Sequence, residues 1–197
     1  MAAKLLTMPG TLNQPNPSFA GQPIYGNTNF LLSVLGPAGS AQAAHSLLSL
    51  YAVDSNSYST TPAVAGYGWV HLDQISYLLC QCQPGRQGRG CRRRLPSAPK
   101  PGLSAHSPSQ HKTWVEGNNP IVGQYHEGVC SPEIDTGLLA QYIQSGDVKA
   151  VTVGHDHTND FCTATPVEGS VTLCYDGHGS YGASGYGEED WPIRARV

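Results

Sequence analysis

Two histidines one residue apart, in the run Gly154-His155-Asp156-His157, are the side chains of this 197-residue chain best suited to hold metal ions. Imidazole nitrogen suits zinc, iron and related ions. At positions i and i+2 of one loop, two imidazoles can face different directions, so each can meet a different ion. The run follows Val148, Ala150, Val151 and Val153, which read as a short buried strand. Ligand sites in α/β sheets lie outside the carboxyl ends of strands. Gly154 is expected to let the backbone pass close to the site. The competing reading is a surface loop that happens to hold two histidines, and the strand in front of the run weighs against it.

The elements that must position this loop are readable from the hydrophobic pattern. Asn29–Leu35 and Ser46–Val53 read as an antiparallel strand pair separated by a turn at Gly36–Ser40. Trp69, Val70, Leu72, Ile75, Leu78 and Leu79 recur at helical spacing, with Asp73 and Gln74 expected outside. Ser131-Pro132-Glu133 has the form of a helix start, and Gly146 fits the helix end. Ser170–Tyr175 reads as the next strand. Residues 1–28 read as loop, and residues 83–103, rich in Arg, Pro and Gly, as a disordered linker or insertion.

Composition narrows the class. Hydrophobic residues make up 39% and charged residues 13%, with 23 Gly and 15 Pro, which favours a loop-rich α/β or α+β domain. Net charge is -3, so the average gives no reason to invoke nucleic acid or an anionic membrane. Seven of the eleven Lys and Arg nevertheless fall between Arg86 and Lys112. No stretch approaches the roughly 18 apolar residues needed to span a bilayer. The N-terminal apolar run is too short for a signal peptide, which makes a soluble, cytoplasmic protein the default expectation. Six cysteines contain no Cys-x-x-Cys knuckle for zinc. Cys162 and Cys174 are expected close together, as thiols if the compartment is reducing.

The stretch Val151–Cys162 resembles the last metal motif of calcineurin-like metallophosphoesterases, and more narrowly of their purple-acid-phosphatase-like branch. The likeness extends through Tyr51-Ala52-Val53-Asp54-Ser55, Gly66-Tyr67-Gly68-Trp69 and Gln124-Tyr125-His126-Glu127-Gly128. It ends in Leu173-Cys174-Tyr175 and Trp191–Val197, and covers residues 5–79 and 104–197. It implies the C-terminal half of an α/β (α+β) fold: part of a metallophosphoesterase β-sandwich flanked by helices, without its N-terminal half. In that family two metal ions (Fe, Zn or Mn) lie about 3.5–4 Å apart, polarise a phosphate ester and turn a bound water into the nucleophile. By this resemblance His155 binds the second metal and His157 the first. His106, in His106-Ser107-Pro108, stands at the place of a further ligand, with His111 as a competitor. His126 falls on the substrate side.

The same resemblance implies an incomplete site. The family's N-terminal half supplies D-x-H, G-D and G-N-H-D/E motifs, and none stands here where the family carries it. The bridging aspartate, an asparagine ligand and the histidine that protonates the leaving group are therefore expected to be absent, and no catalytic residue is assigned. Three readings follow: a metal-dependent phosphatase with half its site, a non-catalytic remnant, or a metal-binding or oligomerising module. The basic segment is read as retained intron or out-of-frame sequence, and the chain as a fragment or truncated gene model. Unrecognised carboxylates such as Asp54, Asp135 or Asp160 are the other possible source of ligands.

Overall fold

A buried valine strand at the centre of a mixed sheet carries the Gly-His-Asp-His loop. The computed structural model describes residue 4 and residues 6–82, 100–104, 108–164 and 171–177. Strands β1 (Ser18–Phe19) and β2 (Gln22–Pro23) form a small ribbon. The main sheet is built from β3 (Phe30–Leu35), β4 (Ser46–Ala52), β5 (Lys100–Ser104), β6 (Val122–Gln124), β7 (Val148–Val153), β8 (Asp160–Ala164) and β9 (Thr172–Tyr175). Their spatial order is β3-β4-β5-β7-β9-β8-β6. Strands β4, β5, β7 and β9 are mutually parallel, while β3 and β8 run against their neighbours β4 and β9. This mixed α/β architecture agrees with the expected fold class. The sandwich implied by the resemblance is not part of what the described residues build.

Three helices are described: α1 (Leu72–Cys82), α2 (Ser109–Glu116) and α3 (Leu138–Ser145). Val148, Val151 and Val153 of β7 are buried in one core with Leu78 of α1, Leu139 and Tyr142 of α3, and Phe161 and Leu173. Burying each such side chain is worth about 1.5–3 kcal/mol, which ties the site-bearing strand to the most stable part of the molecule. No helix among the described residues is long and apolar enough to cross a membrane.

Both β3 and β4 form close to the expected ranges and pair antiparallel. Several expectations are corrected. The 83–103 segment does not stay outside the fold to its end, because Lys100–Ser104 form β5 between β4 and β7; residues 83–99 lie outside the described residues. Pro101 cannot donate to a ladder, and it sits beside a register shift between Lys100 and Pro101, where proline is tolerated in a sheet. Pairing partners on both sides override the poor strand propensity of Lys-Pro-Gly-Leu-Ser. Residues 131–137 do not start a helix. Thr136 Oγ1 donates to the Val70 carbonyl at 2.6 Å, Gly137 N donates to Asp135 Oδ1 at 2.8 Å, and α3 begins only after a left-handed Gly137. At its other end, a left-handed Gly146 closes the helix as expected.

Gln74 is likewise not outside. It is fully buried at the start of α1, where its Oε1 accepts from the His71 backbone N–H at 2.7 Å, half of a capping box. Its Nε2 donates to Asn29 Oδ1 at 2.8 Å and to the Asp54 carbonyl at 2.7 Å. Asn29 in turn binds Asn16 and Tyr25, which fastens the segment read as loop to the sheet.

Candidate functional site

Because β4, β5, β7 and β9 are parallel, their carboxyl ends share one edge of the sheet. β6 also ends there, since it opposes β8, which opposes β9. Two loops therefore meet at this edge: residues 154–159 after β7 and residues 125–130 after β6. Gly123 makes the close approach of β6 possible. Its φ is +116°, and a Cβ there would lie 2.2 Å from the Asp160 carbonyl oxygen.

Side chains lock the two loops together. Asn159, fully buried, accepts the backbone N–H groups of His126 and Glu127 at 3.0 and 3.1 Å and donates to the Glu127 carbonyl at 2.8 Å. The Glu127 carboxylate returns the contact by accepting from Thr158 N and Thr158 Oγ1 at 2.6 and 2.8 Å. Asp156, 2% exposed, accepts the Cys130 N–H at 2.8 Å and the Tyr175 hydroxyl through the same Oδ2.

His155 has a left-handed backbone, φ 77°, an uncommon conformation in which histidine is nevertheless enriched. Gly154 has open space around its Cα, so the expected role of Gly154 in a close approach is not realised; the unusual turn is made by His155 itself. The His155 Nε2 lies 2.9 Å from the Tyr67 hydroxyl, with the rings edge to face at 4.9 Å. Tyr67 reaches Cys130 Sγ at 3.7 Å. One ligand atom from each of Cys130, His155 and Asp156 lies within 4.8 Å of the other two, a grouping that could hold a metal ion.

The electrostatics favour a neutral resting cluster around Asp156. The Cys130 contact, then burial and nearby negative groups, push Tyr67 up to about 12, so its hydroxyl stays protonated at neutral pH. Burial first, then the hydrogen bond to Asp156, raises the Cys130 thiol. A nucleophilic cysteine needs the opposite shift. Burial lowers His111 to about 4, against an opposing pull from Asp156, so this imidazole is neutral.

The sequence-predicted residues fare differently. His155 joins Cys130 and Asp156, whereas His157 is half-buried in the same loop and is not a member of that grouping. His126 is exposed, with its Nε2 3.3 Å from Gln124 Oε1, and its loop is the one clamped to the histidine loop. His106 lies outside the described residues. His111 is buried on α2 against the rings of Phe161 and Tyr175, which also touch each other. Two of the three alternative carboxylates have structural work. Asp54 accepts from Asn27 N and Asn56 N, and Asp135 accepts from Gly137 N and Gln110. Sequence reasoning missed Cys130, Asp156 and Tyr67. Asp156 was visible as the middle of His-Asp-His, but Cys130 and Tyr67 are brought in only by tertiary structure. Cys162 and Cys174 are close, as expected, with Cα atoms 4.1 Å apart and their sulfurs at bonding distance, because directly opposed positions of β8 and β9 juxtapose them.

Over 98% of its length the chain is 34% identical to a protein from Arabidopsis thaliana named probable inactive purple acid phosphatase 29. It is 32% identical over its full length to probable inactive purple acid phosphatase 14 of the same plant. Over 66% of its length it is 33% identical to phosphatase DCR2 of Saccharomyces cerevisiae, covering 22% of that protein. The chain spans about half the length (49%) of the two plant relatives. No family model and no solved structure matches it.

Proposed function

We propose that this chain, a purple-acid-phosphatase-like phosphoesterase over the part of its relatives that it spans, supplies one half of a metal-dependent phosphoester hydrolase site. In this reading His155 and His157 are metal ligands, His106 is a third, and His126 faces a phosphate ester. The observation that carries it is the position of the histidine loop at the shared carboxyl edge of the parallel strands, clamped to the His126 loop through Asn159. Of these residues, His155 belongs to a grouping of imidazole, carboxylate and thiol that lies within 4.8 Å and could hold one ion. When bound, metal ions of this kind polarise a phosphate oxygen and lower the pKa of a bound water. The chain's own contribution is positioning. Tyr67 orients His155, Asn159 and Glu127 hold the His126 loop, and the buried core behind β7 excludes water.

On its own the chain is proposed to hydrolyse phosphate esters barely above background. Removing even one transition-state contact typically costs about 10²–10³ in rate, and the family's bridging aspartate and leaving-group histidine have no counterpart here. Two relatives carry the word inactive in their names, which supports this reading, and a third is named a phosphatase. The test is hydrolysis of an aryl phosphate with added zinc, iron or manganese, by this chain and by a fusion to the remaining half of a relative. Activity in the fusion that His155→Ala and His157→Ala abolish supports the reading. Metal-dependent turnover by the chain alone, lost in both variants, overturns the inactivity. A fusion that binds metal and stays inactive favours a non-catalytic metal-binding protein.

A further inference from the structure

We infer that Cys130, His155 and Asp156 form a single-ion site for a borderline divalent cation such as zinc, a ligand set that shares His155 with the histidine pair and leaves out His157. The inference stands whether or not the chain takes part in phosphoester hydrolysis.

Chemistry and geometry both carry it. Thiolate and imidazole together select zinc-like ions over magnesium, calcium or manganese, which prefer oxygen. Zinc bonds to sulfur, nitrogen and carboxylate oxygen of roughly 2.0–2.3 Å put tetrahedral donors about 3.3–3.8 Å apart. The three donors already lie within 4.8 Å of one another, so ligation needs shifts of about an ångström and no loop rearrangement.

A second observation points the same way: each donor residue is held in place by a neighbour. Asp156 is buried, and its Oδ2 receives both the Cys130 N–H and the Tyr175 hydroxyl, which leaves Oδ1 as the oxygen to offer a cation. The His155 ring is oriented by the Tyr67 hydroxyl. Cys130 sits on the loop that Asn159 and Glu127 fix. Outer partners of this kind orient ligands and raise metal affinity. Among the described residues, the groups that donate to Asp156, the Cys130 backbone N–H and the Tyr175 hydroxyl, are neutral. Binding is balanced simply: the metal–sulfur bond replaces the S–H bond, and the thiol proton leaves to solvent. Three protein ligands leave a fourth position for water or an anion.

Cobalt(II) added to the whole chain reads the site directly, because thiolate ligation gives an intense near-ultraviolet charge-transfer band. The band is expected in the wild type and in His157→Ala. It is expected to vanish in Cys130→Ser and to weaken strongly in His155→Ala. A band that survives Cys130→Ser overturns the inference. One that depends on His157 as much as on His155 shows that the histidine pair is the metal site instead. Should Cys130→Ser fail to fold, the wild type decides. Zinc at one hundred times its Kd should slow alkylation of Cys130 on the order of 100-fold, measured by mass spectrometry of its peptide. Equal alkylation with and without zinc overturns the site.

Discussion

Two buried polar clusters support the same sheet, and they have opposite characters. Around the Gln74 side chain, every partner is a neutral amide or a backbone group, and each donor meets an acceptor: His71 N, Asn29 and the Asp54 carbonyl are all engaged. Around Asp156, a buried carboxylate collects a thiol, a phenol and an imidazole: the Cys130 contact raises Tyr67, and burial raises Cys130 and lowers His111. The first cluster is complete as it stands and reads as structure. The second concentrates metal donors without using them up. Burial of polar atoms alone therefore does not mark a site in this molecule; the kind of donor and the charge it can meet do.

The sharpest way to break the comparison is Gln74→Leu. The side chain keeps its volume but strands the Asp54 carbonyl and the His71 N–H, each costing about 1–3 kcal/mol when buried and unpaired, and takes from Asn29 Oδ1 one of its two donors, the Asp54 N–H remaining. A loss of about 4 kcal/mol is expected in urea unfolding of this variant, with cobalt binding unchanged in the residual folded protein. A variant that is as stable as the wild type would show that the amide network is incidental.

Next in size is a pH effect at the other cluster. His111 titrates at about 4 in the folded chain, against an ordinary value of 6.5. The unfolded chain therefore binds the proton first as pH falls. Stability is complete above about pH 6.5, declines between 6.5 and 4, and is constant in this contribution below that. The full loss is roughly 3 kcal/mol, and His111→Phe should flatten it. Unfolding curves at several pH values check this; an unchanged slope in the variant would assign the acid sensitivity elsewhere.

The sequence carried the site-bearing strand well. Val148–Val153 was read with its observed bounds because β-branched residues and the following glycine mark both ends. The strand pair β3–β4 and the end of α3 were equally readable from local chemistry. What escaped was whatever depends on partners far along the chain. β5 is a strand because β4 and β7 flank it, not because Lys-Pro-Gly-Leu-Ser prefers extension. Gln74 looked like an exposed helix residue because its acceptors come from residues 29 and 54. In the site, His155 was visible from spacing, while Cys130 and Tyr67 lie 25 and 88 residues away from it and carry no local signature.

The smallest stability effect belongs to His155→Asn, and it separates the clusters most cleanly. Asparagine tolerates the left-handed backbone that φ 77° requires, so the turn should keep its shape. The hydrogen bond to Tyr67 is lost, but Tyr67 is only half-buried and water can replace it. The net change should stay under about 1 kcal/mol. Metal binding should nevertheless fall sharply, because the imidazole is the nitrogen donor of the grouping. Thermal unfolding with and without zinc measures both quantities on one sample: the apo midpoint should barely move, and the zinc-dependent rise should disappear. If His155→Asn instead destabilises the apo protein as much as Gln74→Leu, then His155 is a structural residue like Gln74, and the distinction between the two clusters fails.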